Sequence, residues 1–587
     1  MKLLTLIYSL VAISVLATPV YGNARGDSRT REYISPESIT WMGNPELISN
    51  ADYLMRNGNG QADLTNSHIC IMRSTKSERP AILLDFGKEL HGGLQIVTGM
   101  PASHKPVRVN IRFGESANEA MYGSDGFKGA TNDHAVRDFE MTLPWLGVRE
   151  TGNSGYRFVK IELLDHDVEL HLKEVRAVSV YRDIPYRGSF RCSDERLDSI
   201  WKTGAYTVHL CMQDFLWDGI KRDRLVWMGD MHPEVMTISH VFGYNEIVPE
   251  SLDLARDITP LPGWMSGMYT YSLWWVIVQR DWYKFHGDLE YLKQQRDYLT
   301  GLLEILLKKV DDNGLETSGG GFLDWPSNAN QPAMKAGTQA LMMMTMEAGA
   351  ELCGYLGEDL LEKRCIQCHR RMKDAASEVA EIYYQKAAAP GEPGSKQGTA
   401  LMVLAGMTDP EKACTEVLKA DGARGFSTFY GYYMLEAMAK AGDYDGAMDI
   451  IRTFWGGMLD LGATTFWEDF NIDWLKDDPA PIDRIVPEGR KDIHGDYGAY
   501  CYEGFRHSLC HGWASGPTAW LSRHVLGIEI MKPGCKEVRI RPNLGNLEWA
   551  EGSFPTPYGD IHVSHTKDKD GKIRSRIDAP EEIRIIR

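Results

Sequence analysis

Ser193-Asp194-Glu195-Arg196-Leu197-Asp198-Ser199-Ile200-Trp201 is where the chain changes period. From here on, apolar residues recur every three to four positions behind a Ser/Asp cap signal, which marks a helix start. Upstream, from Arg29 to about Arg187, the chain is strand-like. Ala81–Phe86, Gly93–Val97, Val107–Phe113, Tyr156–Leu163, Glu169–Leu172 and Glu174–Val180 are short alternating runs separated by Gly, Pro and Asn. Strands at that spacing predict a β-sandwich. Downstream, helical patterns continue to about Leu526, most clearly over Tyr271–His286, Leu289–Lys309, Thr338–Tyr355, Leu360–Tyr384, Phe429–Ala441 and Tyr444–Trp455. They come in pairs joined by Gly- or Asp-rich connections. A run of about eleven helices predicts hairpins packed side by side, either as an open solenoid or closed into an α/α barrel. No repeat recurs at fixed period, which counts against the solenoid. Period two returns at Glu537–Pro542, Gly559–His565 and Lys572–Ile577, with Lys569-Asp570-Gly571 as a turn. The predicted layout is therefore multidomain: β over 27–189, helical over 190–526, and β over 527–587.

Bulk properties narrow the function. At 587 residues the chain exceeds one ordinary core. Its 43% apolar and 25% charged residues argue against disorder. A net charge of -17 with no long basic run argues against a nucleic-acid partner, because phosphate binding wants a basic face. Lys2, the apolar run Leu3–Ala17 and the small residues of Pro19–Ala24 read as a cleavable export signal over 1–24. That run is short for a membrane span, no later segment is apolar enough for one, and no Cys follows it to take a lipid anchor. The expectation is an exported protein without stable membrane insertion, periplasmic or secreted; a homo-oligomer stays open. Ten cysteines, scattered singly, are too few for a disulfide scaffold at this length and are expected as buried thiols.

Chemistry concentrates in Trp217-Asp218-Gly219-Ile220-Lys221-Arg222-Asp223-Arg224-Leu225-Val226-Trp227-Met228-Gly229-Asp230, with three carboxylates, three basic side chains and two tryptophans. If the segment from Asp223 is helical, Asp223, Trp227 and Asp230 share one face. Carboxylates beside an indole suit a sugar, whose hydroxyls need acceptors and whose apolar face needs a plate. The plainer alternative is a capped surface helix start. A second cluster is Gly462-Ala463-Thr464-Thr465-Phe466-Trp467-Glu468-Asp469-Phe470, where partial burial would raise the pKa of Glu468 as a general base requires. Alternatively Glu468 caps a helix or pairs with an Arg. Gly321-Phe322-Leu323-Asp324-Trp325-Pro326 and Ser508-Leu509-Cys510-His511-Gly512-Trp513-Ala514-Ser515-Gly516-Pro517 add a third and a fourth cluster. Loops of a closed barrel converge on one end, so four such clusters together point to one site.

The fourteen-residue stretch, the Gly-Ala-Thr-Thr-Phe-Trp-Glu element and the Ser-Leu-Cys-His-Gly-Trp element, in this order, resemble α-L-rhamnosidases of glycoside hydrolase family 78. The resemblance covers essentially everything after the signal segment. It implies a central (α/α)6 barrel flanked by N- and C-terminal β-sandwich domains. It also implies inverting hydrolysis of terminal α-L-rhamnosyl residues, with no cofactor and no metal. In inversion one carboxylic acid protonates the leaving oxygen while a second carboxylate activates water on the opposite face. Carried over by motif, Asp223 stands for the acid and Glu468 for the base. Asp218, Arg222, Asp230, Asp324 and His511 are the implied polar contacts to rhamnose, and Trp227, Trp325 and Trp467 the aromatic ones. One departure matters: the family motif is one residue longer and uses Glu as its acid, where this chain has Arg222-Asp223-Arg224. An Asp would place the carboxyl about 1.5 Å short, one C–C bond, so the backbone must sit closer to the sugar. Otherwise the acid is Asp218, or is absent.

Three other signals stand in the sequence. Cys365-Ile366-Gln367-Cys368-His369 matches a c-type haem attachment pattern but lies inside a continuous helical pattern. Asp311-Asp312-Asn313-Gly314 lacks the Glu of a calcium loop and reads as a turn. The Met342–Met346 run reads as helix core. Two rivals to the hydrolase stay open: a catalytically silent glycan-binding protein, or an exo-hydrolase for another terminal sugar, on the same fold.

Overall fold

Gly87 (φ 81°) and Gly92 (φ 142°) bend the first half of the chain. The sequence suggests two short strands at Ala81–Phe86 and Gly93–Val97. In the computed structural model, which describes residues 27–587 apart from 320, 388 and 390, they form one strand, Ala81–Thr98, whose register shifts between Asp85 and Leu90 and again between Gly92 and Leu94. Bulges of this kind kink a strand and increase its twist. The early half of this strand pairs with Ser38–Gly43 and the later half with Glu169–Arg182, while Gly147–Leu163 accompanies both. Long bent strands thus replace the short ones expected, and nine strands wrap a core of Ile82, Leu84, Leu94, Val109, Ile161 and their neighbours. The expected signal over 1–24 lies outside the described residues.

The helical part is a closed double ring. Six inner helices, Met231–Val241, Tyr269–His286, Gln331–Leu356, Ser395–Leu404, Gly431–Lys440 and Gly516–Trp520, each pack on the next, and the last packs on the first. Their outer partners are Glu195–Cys211, Ile247–Asp257, Leu289–Leu307, Asp359–Ala387, the short Pro410–Ala413 with its π-turn Cys414–Leu418, and Tyr444–Asp460. This is an (α/α)6 barrel, and ring closure excludes the open solenoid. Outer helices keep one apolar stripe, as Tyr444–Asp460 does with Ala447, Ile451, Phe454 and Met458. Inner helices are enclosed on every side, and each residue of Met231–Val241 is buried. Close approach there needs small residues: a Cβ at Gly516 would stand 2.5 Å from the Tyr432 Cβ.

Ser189–Cys192 pairs antiparallel with Trp549–Thr556, so the expected boundary at 190 cuts a strand of the C-terminal domain. That domain has a four-stranded sheet, completed by Gly559–Lys567 and Ile573–Asp578, and a three-stranded one of Ile528–Lys532, Glu537–Ile540 and Arg584–Ile586.

The rival signals resolve locally. Cys365 and Cys368 are buried on the continuous helix Asp359–Ala387, packed into the barrel core as thiols. Asp311 Oδ1 accepts from the backbones of Asn313 (3.0 Å) and Leu315 (2.8 Å), an Asx turn. All ten cysteines are free thiols, and only Cys501 is exposed. Among the described residues no helix is long and apolar enough to cross a membrane.

Candidate active site

Inner helices begin where the connections 212–230, 308–330, 419–430 and 461–515 end, so these loops and the positive ends of the helix dipoles share one rim of the barrel. Asp230 occupies the N-cap position of Met231–Val241, yet its side chain makes no cap bond. It accepts instead from the Tyr271 hydroxyl at 3.0 Å. A capping residue diverted from its helix has another use.

The helical face expected for Asp223, Trp227 and Asp230 is not there. Asp223 (φ 55°) and Arg224 (φ 54°) are left-handed, and no helix starts before Met231. The stretch is a loop closed on itself, since Asp218 donates its N–H to the Leu225 carbonyl (3.0 Å) and takes the Leu225 N–H on Oδ1 (2.9 Å). A backbone bridge joins Gly219 to His511, and the Gly512 N–H donates to the Asp218 carbonyl at 2.8 Å. Barrel closure thereby lays the first and last hairpin loops side by side.

Arg222 organises what results. One η-nitrogen donates to Asp223 Oδ1 at 2.9 Å and the other to Glu468 Oε1. Its Nε donates to the Arg506 carbonyl at 3.0 Å. Glu468 also accepts from the Ser508 N–H (3.1 Å) and lies 3.4 Å from His511 Nε2. Burial alone would raise the Glu468 carboxyl, as the sequence suggests. The Arg222 guanidinium and the His511 imidazole overcome it and hold Glu468 well below the usual carboxylate range. The expected rise is therefore reversed, and the Arg-pairing alternative is what the structure contains.

His511 sits among three carboxylates, with Nε2 at 3.6 Å from Asp218, 3.4 Å from Glu468 and 4.0 Å from Asp230. Burial opposes its charge, but Glu468 and Asp218 hold the imidazole well above its ordinary value. Its Nδ1 has no hydrogen-bond partner among the described residues. Asp218 is pushed up chiefly by burial. Asp230 is pushed up to about 8, by burial and by neighbouring Asp218, against the pull of His511.

The aromatic residues separate. Trp227 is half-buried, edge-on to Tyr271. Trp325 stacks on Tyr500 and donates its indole N–H to the Tyr502 hydroxyl at 2.7 Å. Asp324 next to it is buried, accepts from Ser427 and Gln397, and is pushed up to about 6 by burial. Trp467, expected as a sugar contact, is 1% exposed and packs edge-on to Phe470 and His507. It belongs to the core beneath Glu468.

Sequence reasoning missed the N-terminal domain's share. Glu115 and Glu119, just after strand Val107–Gly114, are fully buried and reach into the barrel. Lys221 Nζ lies 3.0 Å from Glu115 and 3.3 Å from Glu119, and donates to the carbonyls of Phe505 and His507. Glu115 also accepts from the Leu509 N–H (2.6 Å) and Ser508 hydroxyl (3.2 Å). With His494 these acids have metal-ligand spacing, but the Lys221 ammonium already supplies the positive charge among them. From the same domain, His134 Nδ1 approaches Asp223 Oδ1 at 3.1 Å. No local pattern announces any of these; only the quoted Lys221 was in view, without a role.

Residues 185–525 match the profile of the bacterial alpha-L-rhamnosidase 6 hairpin glycosidase domain, and 527–585 that of the bacterial alpha-L-rhamnosidase C-terminal domain. A protein of Alteromonas sp. (strain LOR) described as an alpha-L-rhamnosidase is 22% identical over 536 residues, 84% of this chain and 54% of its own. The chain thus spans about half the length of that curated relative. Among solved structures, the family 78 rhamnosidase of Bacillus sp. GL1 aligns with TM-score 0.71 at 22% identity, over 91% of this chain and 55% of that one. A rhamnosidase from Klebsiella oxytoca with rhamnose bound aligns with TM-score 0.64 at 19% identity, over 85% and 96%. At these identities the structural likeness speaks for the fold. The six-hairpin profile covers more than half of the sequence, and on that ground the chain belongs to the bacterial α-L-rhamnosidases of glycoside hydrolase family 78.

Proposed function

We propose that the protein is an exo-acting α-L-rhamnosidase that hydrolyses terminal α-L-rhamnosyl residues with inversion, Asp223 as general acid and Glu468 as general base. The observation that carries this is the pair of carboxylates held on the two η-nitrogens of Arg222. An inverting pair leaves room for a water, with carboxyl groups about 6.5–9.5 Å apart, whereas a retaining pair sits at about 5–5.5 Å. A guanidinium between the two favours the wider arrangement. It also keeps Glu468 ionised and so able to accept a proton, at lower basicity than burial alone would give, while Asp223 stays partly open to solvent. Asp218, Asp230 and Asp324 offer acceptors to sugar hydroxyls, and His511 Nδ1 is a buried donor that a hydroxyl would satisfy. Trp227 and Trp325 present the apolar walls, with rhamnose as the carbohydrate partner and no cofactor in the chemistry. Export through residues 1–24 is part of the proposal, and mass spectrometry of the mature N-terminus tests it.

The deciding experiment is rhamnose release from an aryl α-L-rhamnoside, with the product anomer followed by proton NMR. Inverted product that disappears in Glu468→Gln supports the proposal. Retained configuration refutes it. A wild type that binds rhamnose without releasing it selects the glycan-binding alternative.

A further inference from the structure

Three non-glycine residues in the left-handed region meet at one point: His134 (φ 64°), Asp223 (φ 55°) and Arg224 (φ 54°). Such backbones cost about 1–3 kcal/mol each and persist where surrounding contacts impose them. Here the contacts are reciprocal between domains. Arg224 donates from Nη2 to the His134 carbonyl at 3.0 Å and from Nη1 to the Asn153 carbonyl at 3.1 Å. His134 in turn places Nδ1 3.1 Å from Asp223 Oδ1. The Arg222 contact to Asp223 falls on that same oxygen. His134 lies against this oxygen as a close contact rather than a hydrogen bond of good geometry. An oxygen that takes the Arg222 N–H and has the imidazole pressed on it is a poor place for a further proton, so the carboxyl proton belongs on Oδ2.

We infer that His134, carried by the N-terminal sheet domain, is a positioning residue for the acid: with Arg222 it crowds Asp223 Oδ1 and so leaves Oδ2 as the oxygen that protonates the leaving group. This rests on Asp223 being the acid. In the step, the Oδ2–H bond breaks and its proton passes to the glycosidic oxygen as the bond from the anomeric carbon to that oxygen breaks. Water forms the new bond to the anomeric carbon and gives its proton to Glu468. Asp223 is left ionised, with the Arg222 N–H still on Oδ1. Around His134 stand Asp133 (3.8 Å from Nε2), Asp223 and Arg224; Arg222 lies behind Asp223, and Arg506 pairs with Asp133. A shortened acid loop gains from outside the barrel the orientation that its own length does not supply.

The test compares full-length His134→Ala, His134→Asn and Asp223→Asn on two substrates. One is an aryl rhamnoside with a good leaving group, which needs little protonation; the other is a rhamnosyl disaccharide, which needs it fully. General acid catalysis is worth about 10²–10⁴, and orienting the acid a part of that. His134→Ala should lower kcat on the disaccharide by roughly 10- to 100-fold, with KM and the aryl rate nearly unchanged. His134→Asn, which keeps an N–H near the Nδ1 position, should recover most of the loss. Equal losses on both substrates, or none, overturn the inference. Asp223→Asn separates the two failures. If it shows the leaving-group dependence and His134→Ala does not, only the inference falls; if it does not show it, the acid assignment falls and the inference with it.

Discussion

Replacing Arg222 by Gln should move the acidic limb of the activity profile upward. Wild-type Glu468 is buried, with Arg222, the Ser508 N–H and His511 as its partners. Removing one member of a buried ion pair costs about 3–5 kcal/mol. Two partners survive here, so the lower end applies, about 3 kcal/mol. At about 1.4 kcal/mol per pH unit, the carboxyl should titrate roughly two units higher. The sign follows from the depressed carboxyl: the stability it contributes is full above the unfolded carboxylate pKa of about 4.3 and is lost as pH falls through the lower folded value. Urea unfolding should therefore separate wild type from Arg222→Gln fully near neutrality and bring them together on acidification. In kinetics, kcat should fall roughly 10²- to 10³-fold, since both acid and base lose their anchor. Arg222→Lys keeps the charge but loses the rigid planar fork whose two η-nitrogens hold the carboxylates apart, so it should restore the pH limb more than kcat. An acidic limb unmoved in Arg222→Gln, together with unfolding curves separated equally at all pH values, would refute the role given to Arg222.

Asp230, pushed up to about 8, predicts the opposite slope. Wild-type stability should decline as pH climbs from about 4 toward 8, and Asp230→Asn should remove that decline; parallel urea midpoints between pH 5 and 9 would contradict it. Lys221→Met leaves Glu115 buried without its cation, while Glu119 keeps Arg137 at 3.3 Å, and should cost about 3–5 kcal/mol. Adding Glu115→Gln should return part of that loss, which a double-mutant cycle reads directly. Trp325→Ala should raise KM several-fold on an aryl rhamnoside with kcat largely kept, because a wall contact binds ground and transition states alike. A thiol reagent should label Cys501 alone in the native protein and all ten cysteines after denaturation.

The layout was legible because each domain repeats one period many times, so the switch at Ser193 survives errors in single elements. Details failed where geometry overrides local pattern. Ala81–Phe86 and Gly93–Val97 looked separate because Gly87 reads as a breaker, while the backbone uses it to bend a continuous strand. The i, i+4, i+7 spacing from Asp223 looked helical, but Asp218 and Leu225 close the segment into a loop first. Burial of Glu468 was legible; its ionisation was not, because Arg222 stands 246 positions away in sequence. Glu115 and His134 were beyond reach for the same reason. Their neighbours in sequence are strand and turn residues of another domain, and only folding sets them against Ser508 and Asp223.

These long-range contacts explain how two carboxylates with opposite tasks can share one guanidinium. Glu468 receives the full field of Arg222 in a buried setting, where charges are screened least, and His511 reinforces it. Asp223 receives the same cation at a partly solvated position, where the interaction is weaker. Burial therefore differentiates the pair more than distance to the cation does. The difference depends on what covers Glu468 and leaves Asp223 open: the 505–511 segment, pinned by Lys221 and by Glu115. On this account the N-terminal domain is part of the acid–base machinery. Its buried Glu115 holds down the segment that sheathes the proposed base, and its His134 stands against one oxygen of the proposed acid.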